Sequence, residues 1–489
     1  MHCARDGRHD ASDEETPLLS PERKGLKAPT PLPRMQIFIL LLMQLAEPIT
    51  ANCIYPFINQ LVSELDITGG DEKKVGYYAG LIESLFFATE AMFIMQWARI
   101  SDRIGRKPVL LTGVGGLCIS MLCFGLSKTF TGLVVSRCLV GMLNGNIGVI
   151  KSMVADLTDS TNMAQGFAMM PVMWSIGGTI GPLIGGQLAK PHDRWPEVFT
   201  NPFWQYYPYF LPCAVAALFS AVIFCVTAAF LRETVKPQPR RPKIVRFASD
   251  ATVVNAEPSS SAPSDVPLRA LLTAPVVWTV CNYACLALLE MAYRAIQPLF
   301  FSTPVEFGGL GLPPSTIGII LGSFGVMDGV FQAMFFAKLV DRWGAKRVFQ
   351  AGMAMFIFLF PLFTLINVTA RIEGMSNTVW ALVILQLALS VIMDMAYGCV
   401  FIFMTGAAPN KSSLGATNGV GQLAASVVRA IAPAGATSLF ALSAERDWLG
   451  GHGVYAIFTS LSVLCMLVGA PLPRRNWQSD AGDAEEEDS

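Results

Sequence analysis

Apolar residues in this chain run in blocks of about twenty, separated by short polar, glycine- or proline-bearing joints. A helix that crosses a hydrocarbon core about 30 Å thick needs roughly 20 such residues. Blocks near 36–60, 76–98, 109–127, 130–154, 164–189, 207–231, 276–301, 315–338, 348–366, 378–405, 414–440 and 452–472 reach or approach that length. The pattern predicts an all-α polytopic membrane protein of about 12 transmembrane helices. Its faintest joint is Ser127-Lys128-Thr129, between the third and fourth blocks.

The polar joints set the organisation. Lys and Arg in short loops stay on the cytoplasmic side, and with an inside N-terminus the cytoplasmic joints hold most of them: Arg103, Arg106 and Lys107, then Arg240, Arg241, Lys243 and Arg246, then Arg342, Lys346 and Arg347, with Arg474 and Arg475 in the C-tail, against few in the opposite joints, such as Lys73, Lys74, Arg194 and Arg371. Both termini are therefore expected in the cytoplasm. The divisions read as an N-tail over 1–35, a six-helix half over 36–231, a cytoplasmic linker over 232–275, a second half over 276–473 and an acidic C-tail over 474–489. The linker is Pro/Ser-rich and initially basic, so it has nothing to bury, and its Ser249 is a candidate kinase site. The N-tail is polar and proline-bearing rather than a cleavable signal peptide, which leaves the first helix as the targeting signal.

The two halves echo each other. ARISDRIGRKPVL at 98–110 returns as AKLVDRWGAKRVF at 337–349, and LAE ending at Glu47 returns as LLE ending at Glu290, each with a proline shortly after, Pro56 and Pro298. A duplicated bundle of two pseudo-symmetric six-helix halves is implied. Two further elements stand in the first half: SRCLVGMLNG, with Arg137 and Gly141, and GGTIGPLIGG, with Gly177, Gly181, Pro182, Gly185 and Gly186.

At these residues the chain resembles the major facilitator superfamily: the DRxGRK loop (Asp102, Arg103, Gly105, Arg106, Lys107) is similar to the family's signature loop, with its weaker copy at Asp341, Arg342, Gly344, Lys346 and Arg347. The resemblance implies a secondary transporter that works by alternating access, with these loops as a cytoplasmic gate. The GxxxGPxxGG element resembles one associated with proton-coupled exporters; its bare physical reading is close helix packing. EPITANCIYPF and SDRIGRKPV resemble the zinc-induced-facilitator-like branch and its fungal relatives, although the branch's cysteine motif and the histidine after the sixth-helix ET are missing. Within the loop, Gly105 permits a tight bend, Asp102 is expected to face a helix N-terminus, and Arg103, Arg106 and Lys107 are expected to pair acids across the halves.

Composition supports a membrane solvent: 53% of the residues are hydrophobic and 15% charged, with a mean hydropathy of +0.48. A net charge of −1 gives nucleic acid no electrostatic handle. The 11 cysteines form no CxxC pair, so neither a disulfide framework nor a metal site is expected. No GxxxxGK[ST] segment and no nucleophile constellation appear, and no cofactor or enzymatic activity is expected.

Against that background the charges inside the blocks stand out: Glu47, Glu83, Glu90, Arg137, Glu290, Arg294, Asp328, Asp394 and Arg429. Each costs roughly 2.5–3.5 kcal/mol at a helix centre, so together they require a shared polar interior. Glu290 and Arg294 are spaced to pair on one helix. Glu47, beside Pro48, has no charged neighbour on its own helix and ranks first as a proton or substrate carboxylate, with Glu90, Asp328 and Asp394 behind it. Arg137 and Arg429 are expected as counter-charges to Asp328 and Asp394, or as ligands for an anionic substrate group. Glu83 is expected near the non-cytoplasmic surface, solvated.

The function read from this is a proton-coupled exporter or antiporter of a small organic molecule, acting as a monomer in the bilayer. A proton-coupled importer of an organic anion or nutrient is the alternative, and a non-transporting sensor on the same scaffold is the reading from another class. EETPLL, with Glu14, Leu18 and Leu19, is similar to an acidic dileucine sorting signal and favours a vacuolar or endolysosomal membrane over the plasma membrane. Asn367, in an NxT sequon, is a glycosylation candidate on the non-cytoplasmic side, whereas Asn410 is expected to stay unmodified.

Overall fold

The architecture was analysed in a computed structural model, which describes residues 31–158, 162, 169–234, 273–407 and 414–472. The sorting-signal residues Glu14, Leu18 and Leu19, together with Ser249 and Asn410, lie outside them. Among the described residues every regular element is helical, as a hydrocarbon solvent demands of a chain that must satisfy its backbone within each segment.

The first half contains α1 (Arg34–Ile54), the short α2 (Ile58–Ser63), α3 (Val75–Ile104), α4 (Arg106–Gly125), α5 (Phe130–Leu143), α6 (Asn146–Leu157), α7 (Met170–Leu188), the short α8 (Pro191–Arg194) and α9 (Pro202–Tyr206), and α10 (Phe210–Phe230). The second contains α11 (Ala274–Ser302), α12 (Pro314–Phe331), a π-helical segment (Gln332–Phe336) running into α13 (Ala337–Trp343), α14 (Ala345–Glu373), α15 (Asn377–Ala407), α16 (Leu414–Glu445) and α17 (Gly453–Val468). Among the described residues ten spans are long and apolar enough to cross a membrane. The glycine-rich α7 and the shorter α17 complete two six-helix halves.

Several spans differ from their sequence expectation. The fourth is broken at Asn144-Gly145 into α5 and α6. The ninth continues to Glu373, so Asn367 lies inside a helix with 0% exposure, its Nδ2 donating to the carbonyls of Gly309 (2.8 Å) and Val305 (3.1 Å). A buried amide already committed to two carbonyls presents no acceptor for a sugar, and the glycosylation expectation is corrected accordingly.

The repeated turn has one conformation in both copies. Gly105 stands at φ 107, ψ 159 and Gly344 at φ 81, ψ 150, a region that is essentially glycine-only. One step on, Lys107 Nζ donates to the Ala228 carbonyl at the end of α10, and Lys346 Nζ donates to the Ala470 carbonyl just after α17, both at 2.8 Å. The first copy carries more. The Glu233 carboxylate accepts from the backbone N–H groups of Arg106 and Lys107 at 2.9 Å each, capping α4, and Arg106 pairs with Asp156 at 2.5 Å.

Both of these acids, Asp156 and Glu233, belong to the same half as Arg106, whereas the sequence predicts acids of the other half. Arg103, Asp341, Arg342 and Arg347 are exposed, and of Asp102 only the backbone is described. A Cβ on Gly105 would stand 2.6 Å from the Glu233 carboxylate, whereas one on Gly344 meets nothing within 4 Å. Gly344→Ala is expected to cost only the strain of the turn, about 1–3 kcal/mol. Gly105→Ala is expected to lower the melting temperature in detergent further by displacing the cap. Equal losses would show that the cap adds no stability.

The halves meet at the end opposite these turns, here the far end. Gly76 and Gly80 of α3 lie against the backbone of Pro433, Ala434 and Thr437 in α16, and Ser84 Oγ accepts from the Ala434 N–H at 2.9 Å. Helix α7 is packed on two faces: Gly177, Gly181 and Gly185 abut Pro48, Ile49 and Cys53 of α1, while Gly186 meets Gly318 of α12. Pro182 directs its carbonyl at Gly318. The 189–209 segment covers the first half's far end, where Glu64 pairs with Lys190 at 2.5 Å and accepts from Tyr209 Oη at 2.9 Å. Burial and that carboxylate push the Tyr209 phenol up from its ordinary range.

Candidate functional site

The nine charged side chains singled out inside the spans fall into three groups. In the second half, Arg294 of α11 is the hub. Its Nε donates to Glu290 Oε1, one helical turn back, and its Nη2 donates to Asp394 Oδ2 of α15 at 2.9 Å. Glu290 also accepts from Tyr397 Oη at 2.9 Å. The guanidinium lies over the Phe324 ring, 5.6 Å from its centroid. Asp328, on α12, adds a third carboxylate within the field of Arg294 and sits under weak contacts from Ser175 Oγ and Gln332 Nε2, each 3.4 Å.

The π-helical segment begins one turn after Asp328, and such wide turns are frequent at functional sites. Asp394 Oδ1 is buried without a partner, as are both amide atoms of Gln386 two turns earlier on α15. The counter-charge expectation is thereby corrected: Arg294 serves Asp394 and Asp328, because its place on α11 points into the gap between α12 and α15.

The second group joins the halves. Glu47 of α1 and Glu90 of α3 share the Asn144 side chain: Asn144 Nδ2 donates to Glu90 Oε1 at 3.3 Å, and Glu47 meets the same side chain. The break between α5 and α6 is what turns Asn144 toward the two acids, and Gly145 is required there because a Cβ would overlap Trp97. Lys151 of α6, a charge not singled out from sequence, and Arg429 of α16 both act on Glu47. Arg429 faces Tyr397 and Tyr283 in its own half, and its Nε is buried without a partner. The Arg137/Gly141 element is explained by packing on one side: a Cβ on Gly141 would overlap Thr89 and the Phe86 carbonyl of α3.

The third group was missed. Glu83 is half-buried rather than freely solvated. It accepts from Tyr55 Oη at 2.6 Å and lines, with Arg137, Asn59, Ala295, Pro298 and Thr437, a cavity of about 20 Å³ at the far end. A position near the end of a helix suggested solvent, but the α11 and α16 residues that seal it come from the other half, which no linear reading supplies.

Among the described residues of these groups the buried acids outnumber the buried bases: Glu47, Glu290 and Asp394 stand against Arg137, while Glu83, Glu90, Asp328, Arg294 and Arg429 are half-buried and Lys151 is exposed. Charge buried in low dielectric must be balanced, and the surplus of carboxylate invites protons or a cationic group. Among the described residues no cluster of His, Cys, Asp and Glu is arranged to hold a metal ion.

The family model described as Major Facilitator Superfamily matches residues 40–433. The chain is 31% identical over 478 residues to the major facilitator-type transporter psiT2 of Psilocybe cyanescens, with 90% of each chain covered. It is 28% identical over 471 residues to the efflux pump azaK of Aspergillus niger, with 94% of each covered. It is 26% identical over 437 residues to Protein ZINC INDUCED FACILITATOR-LIKE 1 of Arabidopsis thaliana, covering 89% of this chain and 90% of that one.

Proposed function

The chain belongs to the Major Facilitator Superfamily, and we propose that within this family of membrane transporters it is a proton-coupled exporter, or antiporter, of a small organic molecule. The observation that carries the reading is the surplus of buried carboxylates over buried bases, spread over both halves and meeting between them at Glu47, Glu90 and Arg429. A surplus acid must take up a proton or a cation whenever the cavity closes around it. Protonation and cargo binding thus become alternatives at one charge balance, which is the requirement for exchange. The efflux pump among the relatives favours the outward direction.

The mechanism is a rocking of the two halves about the buried charges. In this state the far end is sealed by α3 against α16 and α7 against α12. The basic turns hold partners in their own half, Arg106 with Asp156, Lys107 Nζ with the Ala228 carbonyl and Lys346 Nζ with the Ala470 carbonyl, and in the cycle the halves part at that end. We place that end, and both termini, in the cytoplasm, so that the cavity loads from inside. The membrane favoured is vacuolar or endolysosomal, the acting unit a single chain with no catalytic activity of its own. A 100 mV potential contributes about 2.3 kcal/mol per charge moved, enough to drive accumulation without ATP.

One observation favours an importer of a small organic anion instead: the buried Nε atoms of Arg137 and Arg429 lack partners. Proteoliposomes holding a pH dye, challenged with organic anions and cations, separate the readings by the direction of proton flow. Wild type is expected to show substrate-dependent proton flux opposite to cargo movement, and Glu47→Gln is expected to lose it. Cargo movement without proton flux in wild type would sink the coupled reading.

A further inference from the structure

The cavity beside Glu83 is an unexplained feature of the far-end seal. Its walls are drawn from both halves: Tyr55 after α1, Asn59 of α2, Glu83 of α3, Arg137 of α5, Ala295 and Pro298 of α11, and Thr437 of α16 supply the lining. Arg137 is 8% exposed, and its Nε has no partner. The guanidinium is held by ring faces, with Phe124 at 5.3 Å and Phe86 at 5.8 Å, and forms no ion pair with Glu83 within 4 Å. A buried guanidinium and a half-buried carboxylate thus share one space without touching. Leaving such donors unmet is costly.

A volume of about 20 Å³ exceeds the one probe sphere of roughly 10–15 Å³ that a water molecule needs, and a buried water wants two to four polar partners. Arg137, Glu83, Asn59 and Tyr55 offer them. The charged or titratable groups acting on Glu83 are Tyr55, Arg137, Glu290 and Arg294, so both a donor and a competing acid bear on it. On this geometry, and on the coupled reading above, we propose that the cavity holds a water bridging Arg137 to Glu83, and that Glu83 is the group through which the far-end solution loads a proton. Because Ala295, Pro298 and Thr437 close the cavity from the second half, parting α3 from α16 opens it to that solution. Closing them isolates the proton with the Glu290–Arg294 pair next in line.

The test reads protonation, not transport: pH-jump infrared difference spectra of the full chain in vesicles. Wild type is expected to show a protonated carboxyl band that Glu83→Gln removes and that Tyr55→Phe, which deletes the O–H donor but leaves the acid, shifts. Spectra of wild type and Glu83→Gln that superimpose, in protein shown to be folded, overturn the proposal, as does a band that Tyr55→Phe leaves unmoved. If the band is lost in Glu83→Gln while wild type carries cargo without proton flux, Glu83 stands as a protonated carboxyl of the cavity, and its loading role falls with the coupled reading. If flux is present and no band is lost, the coupled reading stands and this site falls.

Discussion

Arg294→Met is expected to abolish transport and to cost about 3–5 kcal/mol of stability, because it leaves two buried carboxylates facing each other without the charge that holds them. Glu290 and Asp394 are both buried, and each takes a hydrogen bond from the same guanidinium. Adding Asp394→Asn to Arg294→Met is expected to restore much of the melting temperature, since the uncompensated charge is then removed, while transport stays absent. The cycle of single and double variants isolates the coupling. Additive losses in the melting temperature would show that Arg294 and Asp394 are not energetically linked. The contrast is Arg137→Met, which breaks no ion pair and is expected to cost less stability than Arg294→Met.

That hub shows where sequence reasoning reached and where it stopped. Blocks of apolar residues and the echoed turns were enough to recover the helices and their two-fold arrangement, since a span must be apolar along its length and a duplication leaves its motifs at matching places. The i,i+4 spacing of Glu290 and Arg294 was readable for the same local reason. Which acid on another helix completes the site was not: Asp394 is 100 residues from Arg294 along the chain, and the packing of α11 on α15 decides the pairing. The break at Asn144-Gly145 and the π-helical segment after Asp328 escaped because neither changes the apolar pattern that defines a span. Span ends were set short, as in α14, because helices continue past the hydrocarbon into polar sequence.

The glycines separate stability from conformational balance, and two substitutions should pull these apart. A Cβ on Gly185 would overlap the Cys53 carbonyl of α1, in the same half, and one on Gly318 would overlap the Pro182 carbonyl of α7, across the halves. Contacts within a half persist through a rocking cycle, whereas contacts across the far end exist only while that end is sealed. Gly185→Leu therefore forces two helix backbones apart in every state, and overpacking of that severity is expected to cost more than about 3 kcal/mol, read as a large fall in melting temperature. Gly318→Leu penalises only the sealed state. A penalty of about 3 kcal/mol there would shift the balance between states by more than a hundredfold, so transport is expected to fall to background while the melting temperature stays near that of wild type. A Gly318→Leu protein that transports normally would mean that α7 and α12 do not need to close for the cycle, and a Gly318→Leu protein that melts as low as Gly185→Leu would mean that the two halves fold as one unit.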